Sequence, residues 1–548
     1  MSLLKCFRHK SSSSEQEDIR VVDLTSSDLS EVPMSIVLHE RTLETLTLSS
    51  NHIQDLPLPL FHCQNLTTLI LSDNELSYLP SAISLLVNIR ELDVSKNYIR
   101  EVDNAIKGCK KLASLNLSSN PLGRLTDGIT QLISLEELYV NSIKADFLPA
   151  NIGRLAKLKV LEVRDNNLNS LPKTISRLTS LIRLDIGENS FQLIPEELKN
   201  ATRLQELWCD LNEIEIIPSF VSNFTDLVYF DVSENLASAV PSAICHCSKL
   251  NFLNFNYCNL QVLPVSFKNL SYLVTLKVEY NNLEYLHDSI GGLVNLEELF
   301  LNNNKLRHLP VTIGLLRKLI IFHLDENMLC ELPPEIGSCV SLKVLTLRSN
   351  EISYIPDEIG HLSKLSVFSL TDNCLQYLPL SILKLKNLSA LWLSHNQGKP
   401  LIPLQHTYDH HQGKRILTCY LLPQQKTLRE CTPEERSVDD GSKLINRNSH
   451  IKFESDLTFS LPTNKLTRVP TPHPKKLREL AKITRSSDNE QKTFANPFCV
   501  PSEAPAFAHS SSSHYNGDAR YEFTNLDCQS SSDSGFSFQK LKLEDDIT

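Results

Sequence analysis

The sequence predicts a curved α/β solenoid with a parallel sheet on its concave face, because one short apolar pattern recurs at a fixed interval along most of the chain. The unit reads LxLxxNxLxxLPxxIxxLxxL, as in "LILSDNELSYLP" and "LEVRDNNLNSLP". Its asparagine column advances in steps of 23 or 46 residues, and Ile143 and Cys258 interrupt it. A strict period of this kind indicates stacked repeats. The asparagines are Asn51, Asn74, Asn97, Asn120, Asn166, Asn189, Asn212, Asn235, Asn281, Asn304, Asn327, Asn350, Asn373 and Asn396.

Each column of this leucine-rich repeat has a physical reason. The LxL pair has a period of two, so both leucines of a short strand point inward and the residue between them points outward. Asparagine carries a donor and an acceptor, and it can satisfy backbone groups at the bend after each strand. The proline that follows fixes φ and needs no amide partner, which predicts short irregular or 3-10 segments on the convex side.

The ends of the repeat array need covers, because they expose apolar surface and unpaired strand groups. The first unit, "VVDLTSSDLSEVP", has Ser27 in the asparagine slot and is expected to cap one end. "GKPLIPLQ" and the apolar run Arg415–Gln425 are expected to cap the other. The predicted domains are a flexible segment at 1–18, the solenoid of an irregular cap and sixteen repeats at 19–398, the C-terminal cap at 399–425, and a disordered Ser-rich tail at 426–548 with a "TPHP" island at 470–482.

Cysteines are numerous in this chain, but their positions predict core packing instead of metal binding. Four of the fourteen occupy one repeat position that elsewhere holds leucine. The cluster "CHC" resembles a ligand group, but the register turns Cys247 inward and places Cys245 and His246 on the convex return. We therefore expect no metal site. The core cysteines are Cys63, Cys109, Cys247 and Cys339.

Composition and motifs argue against catalysis and against nucleic acid as a partner. No phosphate loop, HExxH, GxSxG or kinase motif occurs, so we expect a non-enzyme without cofactor or small-molecule substrate. Residues 407–548 carry 19 basic and 19 acidic side chains, so the whole net charge of −10 lies in residues 1–406. An acidic body disfavours a polyanionic partner. The sequence shows neither a membrane-spanning run nor a secretory signal, which favours the cytoplasm.

The outward strand positions are informative, because the leucine scaffold does not dictate them. Carboxylates alternate there with large aromatic residues, which are typical anchors of protein interfaces. We expect binding around repeats five to nine, near Ile143, by a partner that presents basic residues. The alternative is a solvated acidic face without a partner. The predicted protein-binding residues are Glu91, Asp93, Tyr139, Glu162, Asp185, Glu206, Trp208, Asp210, Tyr229 and Asp231.

The pattern breaks after Asn396, and the break resembles a family signature. "ALWLSHNQGKPLIPLQ" followed by "LTCYLLPQQ" is similar to the junction segment of the LAP family of leucine-rich repeat and PDZ proteins, which includes Scribble, Erbin, Densin and Lano. "ELDVSKN", "FLPANIGRL", "LPPEIGS" and the island "TPHPKKL" agree with it. The resemblance implies a scaffold at the basolateral or junctional cortex of polarised cells. No PDZ domain is recognisable, so the chain is similar to the members without one.

Two function classes follow from these observations. The first is a non-catalytic scaffold of the cell cortex in apicobasal polarity or junction organisation, bound to protein partners through its concave face. The alternative is a cytosolic adaptor that assembles small GTPase or phosphatase complexes. "HIKF" at His450–Phe453 resembles a phosphatase docking motif, but it lacks the usual upstream basic residue. Cys6, beside Lys5 and Arg8, is a candidate lipidation site, as the resemblance also implies, and a single acyl chain needs a second membrane signal.

Overall fold

The computed structural model describes residues 19–409 and 413–424, and these residues form the predicted parallel-sheet solenoid. Strands β1–β16 and β18 pair in parallel as one sheet of seventeen strands, and equivalent repeat positions lie side by side. The described strands are β1 (Val21–Asp23), β2 (Thr45–Thr47), β3 (Thr68–Ile70), β4 (Glu91–Asp93), β5 (Ser114–Asn116), β6 (Glu137–Tyr139), β7 (Val160–Glu162), β8 (Arg183–Asp185), β9 (Glu206–Trp208), β10 (Tyr229–Asp231), β11 (Phe252–Asn254), β12 (Thr275–Lys277), β13 (Glu298–Phe300), β14 (Ile321–His323), β15 (Val344–Thr346), β16 (Val367–Ser369), β17 (Leu378–Pro379), β18 (Ala390–Trp392), β19 (Gln405–Asp409) and β20 (Lys414–Thr418).

The convex side consists of short 3-10 helices, and proline starts most of them. Pro80 is typical: its φ is −58°, and its carbonyl accepts a hydrogen bond of 3.0 Å from the Ile83 amide. Four of the described helices lack a proline at the N-cap, and in two of these the side chain of Asp103 or His287 caps the helix instead. The described helices are Met34–His39, Leu58–His62, Ser81–Leu85, Asn104–Gly108, Ile129–Gln131, Ile152–Arg154, Lys173–Arg177, Glu196–Asn200, Ser219–Asn223, Ser242–His246, Val265–Asn269, Asp288–Gly292, Val311–Leu315, Pro334–Ser338, Asp357–His361 and Leu380–Lys384.

Buried asparagines join each repeat to the one before it. The Asn74 amide donates hydrogen bonds of 3.1 Å to the Leu71 carbonyl and 2.9 Å to the Leu48 carbonyl, and its Oδ1 accepts 3.1 Å from the Ile53 amide. Leaving such buried groups without partners costs about 1–3 kcal/mol each. The residue before each of these asparagines adopts a left-handed conformation, as Asp73 does with φ 60°. The asparagine bonds therefore hold a backbone shape that non-glycine residues adopt rarely.

The two interruptions of the asparagine column are accommodated differently. Cys258 donates a weak hydrogen bond of 3.4 Å to the Val232 carbonyl, which partly replaces an asparagine contact. Ile143 is fully buried, and its amide donates 3.2 Å to Oδ1 of Asn166 in the next repeat. The turn after β6 is distinct, because Ser142 and Lys144 on either side of Ile143 both have positive φ.

The four cysteines at the leucine position are fully buried, as predicted. Burial raises the pKa of the Cys109 thiol to about 11. Cys245 and His246 lie in the convex 3-10 helix Ser242–His246, as predicted. Cys245 is 5% exposed there and accepts a hydrogen bond of 3.1 Å from the Ser266 hydroxyl of the next 3-10 helix. His246 is exposed. Across residues 19–409 and 413–424, no group of His, Cys, Asp and Glu is arranged to hold a metal ion.

The C-terminal end of the ladder differs from the sequence pattern. Asn396 is exposed and does not enter the asparagine column, so its assignment to that column was wrong. Gln424 occupies the slot. Its amide donates 2.9 Å to the carbonyls of Leu370 and Leu393, and its Oε1 accepts 3.0 Å from the Leu375 amide. The longer glutamine side chain reaches these backbone groups from a segment that lies beyond the last repeat.

Backbone groups in and just after β18, the last strand of the large sheet, also find hydrogen-bond partners in the segment that follows. The Gln397 side chain accepts from the Leu393 amide at 2.9 Å and donates to the Leu391 carbonyl at 2.6 Å. The Pro400 carbonyl accepts 2.7 Å from the Leu391 amide. Strand β20 pairs antiparallel with β17 and β19 in a separate three-stranded sheet, and it buries Leu417 completely against the core.

Several sequence predictions concern residues outside the described ranges. These are the 1–18 segment with Cys6, the "HIKF" motif, and the 426–548 tail with its 470–482 island. In the part of the chain that is described, no helix has the length and hydrophobicity that crossing a bilayer requires.

Candidate protein-binding surface on the concave face

The ten predicted residues project from the concave side of the sheet, but the structure brings only eight of them together. In-register pairing sets Glu162 beside Asp185 and Asp185 beside Trp208. Glu91 and Asp93 lie on β4, two strands from β6, and Asp93 accepts a hydrogen bond of 2.8 Å from the Ser95 amide. We call the concave residues of β6–β11 and of the turns that follow these strands the central surface.

Arg164, which follows β7, connects three carboxylates of the central surface. Its guanidinium lies 3.3 Å from Asp185 Oδ1 and 3.1 Å from Glu188 Oε1, and it makes a bidentate contact with Asp210. Only 8% of the Asp185 side chain and 12% of the Asp210 side chain are exposed. The acidic residues predicted as an open face are therefore largely paired within the chain.

The absence of a side chain at Gly187 allows the Arg164 guanidinium to contact Asp210. Arg164 and Asp210 follow strands that are two apart, β7 and β9, and Gly187 occupies the equivalent position after the strand between them. A Cβ atom at Gly187 would lie 2.0 Å from Arg164 Nη1 and 2.8 Å from Asp210 Oδ1. The bare backbone therefore leaves the space through which the guanidinium passes.

Burial governs the acid–base behaviour of this cluster. Burial raises the pKa of Asp210 to about 6, and the neighbouring Asp231 and Asp185 raise it too, whereas Arg164 works in the opposite direction. Burial likewise raises the pKa of Asp185, and the Gly187 amide and Arg164 oppose that shift. The ion pair between Arg164 and Asp210 is therefore complete at neutral pH and weakens as the pH falls through about 6.

Arg183 forms a second cationic centre on the neighbouring strand. Its guanidinium lies 3.0 Å from Glu162 Oε1 and 3.4 Å from Glu206 Oε2. Asn141 donates 2.9 Å to the other oxygen of Glu162. The Arg183 guanidinium carbon also lies 5.8 Å from the centre of the Trp208 ring, within the range of a cation–π contact.

The aromatic residues form a continuous stack beside Arg183. The centre of the Trp208 ring lies 4.0 Å from that of Tyr229, and Tyr229 lies 4.2 Å from Phe252 with nearly parallel planes. Lys277 lies 5.2 Å from the centre of the Phe252 ring at the far end. We call Trp208, Tyr229 and Phe252 the aromatic ladder. All three rings are partly exposed, so they offer a preformed apolar surface with a cation at each end.

The other predicted residues of the central surface are fixed by neighbours. Asp231 accepts 2.6 Å from the Ser233 hydroxyl and 2.9 Å from the Asn254 amide. Tyr139 stands apart from the aromatic ladder, and its hydroxyl donates 3.3 Å to Glu137 Oε2. Burial raises the pKa of Tyr139 to about 12, so it stays a neutral donor.

Sequence reasoning missed two features of the concave face. It singled out neither Arg164 nor Arg183, although both occupy outward positions of the repeat. It also missed a buried apolar group on β13–β16 and β18, in which four of the six members recur in steps of 23 residues. We call this group the apolar patch, and it consists of Phe300, Ile321, Val344, Val367, Ala390 and Trp392.

Comparisons with known proteins place the chain in a class. A model described as a leucine-rich repeat region matches residues 129–216, and one described as a leucine rich repeat matches residues 41–99 and 340–397. The solved LRR protein LIC12759 from Leptospira interrogans superposes with a TM-score of 0.60 at 31% identity, covering 69% of this chain and 91% of that one. The chain therefore belongs to the leucine-rich repeat proteins, a class of protein-interaction scaffolds.

Two curated relatives are similar over short stretches. Leucine-rich repeat-containing protein 7 of Rattus norvegicus is 46% identical over 86 residues, which is 16% of this chain and 5% of that protein. Protein Scribble homolog let-413 of Caenorhabditis elegans is 36% identical over 95 residues, which is 16% of this chain and 14% of that protein. The matches thus span a small part of each relative.

Proposed function

We propose that this chain is a non-catalytic scaffold of the LAP type that binds protein partners at the cell cortex through the central surface. The aromatic ladder carries this proposal. Trp208, Tyr229 and Phe252 occupy outward positions where the repeat requires no aromatic residue, and their stacking fixes the rings before a partner arrives. Preformed aromatic anchors dominate many interfaces, and truncating one commonly costs about 2 kcal/mol or more of binding free energy.

The internal ion pairs narrow the chemistry of the partner. Glu162, Asp185 and Asp210 are each held by an arginine of the same chain, but Arg164 and Arg183 share five carboxylates, so the central surface keeps a net negative charge. We therefore expect the partner to present basic residues and to insert an apolar or planar side chain against the aromatic ladder. Its association should weaken as the salt concentration rises, because salt screens the attraction between opposite charges while the stacking contacts remain.

A cortical role in apicobasal polarity or junction organisation is the cellular part of the proposal. The names of the relatives, a Scribble homolog among them, support it together with the LAP-like junction segment after Asn396. Basolateral or junctional attachment would come from protein partners and from a lipid on Cys6. The alternative, a cytosolic adaptor for small GTPase or phosphatase complexes, would use the same surface with a different partner.

Proximity labelling in polarised epithelial cells tests the proposal. The full chain should label cortical and junctional proteins, and Trp208→Ala should lose them. The matched control is Tyr257→Ala, because Tyr257 is half exposed and also stacks on an aromatic residue, Tyr280, at 4.1 Å, but it lies in a turn outside the aromatic ladder. Circular dichroism checks that both variants fold. Loss of the same proteins in both variants would contradict the role of the aromatic ladder in binding, and enrichment of GTPases or phosphatase subunits would favour the alternative.

A further inference from the structure

The apolar patch occupies positions where the fold does not require apolar residues. Ile321, Val344, Val367 and Ala390 all precede the first inward residue of their strands, so parallel pairing aligns them in one row. The same position holds Arg183 on β8 and Glu206 on β9. The change from charged to apolar residues along one row marks a separate surface at the C-terminal end of the sheet.

Burial shows that this outward face is covered. Ile321 and Val344 are 1% exposed, Val367 is 3% exposed, and Trp392 is 7% exposed, although all of them project from the open side of the sheet. Neighbours about 4.8 Å apart along a row shield the flanks of a side chain but leave its tip open. An exposed apolar face of this kind would also promote binding to other molecules or aggregation. Burial to this depth therefore requires a layer of chain above the row.

We propose that residues 451–461 of this chain cover the apolar patch. Their sequence, "IKFESDLTFSL", alternates apolar and polar residues, with Ser455 as the single exception on the apolar side. A period of two predicts an extended strand with one apolar face. Pro462 follows directly and would end the strand. The apolar face consists of Ile451, Phe453, Leu457, Phe459 and Leu461, and the polar face of Lys452, Glu454, Asp456, Thr458 and Ser460.

The geometry of the chain allows this contact. Gln424 is bonded to the Leu393 carbonyl, so the chain leaves the solenoid beside Trp392, at one end of the patch. A chain of 26 residues, from 425 to 450, has a root-mean-square span of about 28 Å. The patch extends over five strands, which is about 19 Å at about 4.8 Å per strand. Attachment at this distance gives an effective concentration on the order of millimolar, so even weak contacts would keep the segment docked.

Trp392 provides a direct readout, because the chain has two tryptophans and the other is Trp208. In full-length Trp208→Phe protein, acrylamide should quench the fluorescence of Trp392 poorly. Adding Phe453→Asp and Phe459→Asp should raise the quenching constant several-fold and shift the emission to the red. A peptide of residues 449–463 added to that variant should restore protection. Circular dichroism confirms that the solenoid stays folded, and the proposal does not depend on the proposed function.

The matched control places the same charges on the other face of the segment. Thr458→Asp with Ser460→Asp should leave the quenching of Trp392 unchanged. Equal quenching in the two double variants would overturn the proposal. Quenching that falls as the protein concentration rises, with a dimer in light scattering, would also overturn it and assign the cover to a second copy of the chain.

Discussion

Replacing Arg164 by alanine tests the ion-pair network of the central surface. The change removes a guanidinium that contacts three carboxylates, among them the nearly buried Asp185 and Asp210. Breaking a buried pair costs about 3–5 kcal/mol. Because 26% of the Arg164 side chain is exposed, solvent lowers that cost, and we expect a loss of about 2 kcal/mol in the free energy of unfolding near pH 8.

The loss should depend on pH with a definite sign. The pKa of Asp210 is raised to about 6, above its ordinary value of 3.8, so its contribution to stability is fully present below pH 3.8 and declines as the pH rises through about 6. Removing Arg164 raises the pKa of Asp210 further, so the free energy of unfolding falls by a larger amount as the pH rises. Near pH 5 the carboxyl is mostly protonated in either protein, and the loss on mutation should fall below about 1 kcal/mol.

Urea unfolding followed by tryptophan fluorescence measures both values, because Trp208, one of the two tryptophans, lies on the strand that precedes Asp210. Lys159→Ala is the control: Lys159 pairs with Glu136 at 2.6 Å, but both side chains are about half exposed. Such a pair contributes about 0–1 kcal/mol at either pH. An Arg164→Ala loss that is equal at the two pH values, or larger near pH 5, would refute the reasoning.

Three further changes test other parts of the structure. Gln424→Ala should cost about 1–3 kcal/mol and speed hydrogen exchange around Leu375, because buried backbone groups lose their partner, whereas Asn396→Ala should change stability by less than about 0.5 kcal/mol. Gly187→Val should displace the Arg164 guanidinium and reproduce the pH-dependent loss of stability of Arg164→Ala. Unchanged stability near pH 8 would show that the guanidinium does not need the space above Gly187 to reach Asp210. Cys6→Ser should abolish hydroxylamine-sensitive acyl labelling and weaken cortical localisation, and unaltered labelling would exclude this site.

The repeat made most of the fold predictable from the sequence. A period of 23 residues places equivalent positions on adjacent strands, so inward leucines, the asparagine ladder and buried cysteines such as Cys109 follow from register alone. The structure of the C-terminal end of the repeat array could not be predicted from the period. Gln424 replaces Asn396 from the segment after β20, which lies outside the period, and a repeat pattern contains no information about such a substitution.

The chemistry of the central surface was predictable only in part. Its outward carboxylates and aromatic residues were visible as positions in the repeat. Their pairing was not, because the contact between Arg164 and Asp210 joins residues 46 positions apart and depends on a missing side chain at Gly187. The apolar residues of the row from Ile321 to Ala390 are visible in the sequence. The inference that a further segment covers them depends on their burial, which the sequence alone does not give.

Site-specific photo-crosslinking in polarised cells tests the central claim most directly, namely that partners bind the concave face at the aromatic ladder. A photoreactive residue at Glu206, on the concave side, is compared with one at Glu196, on a convex 3-10 helix of the preceding repeat. We predict that a cortical protein is captured from position 206, that Trp208→Ala abolishes its capture, and that Tyr257→Ala does not. Capture of the same protein from position 196 alone, or capture from position 206 that survives Trp208→Ala, would contradict the claim.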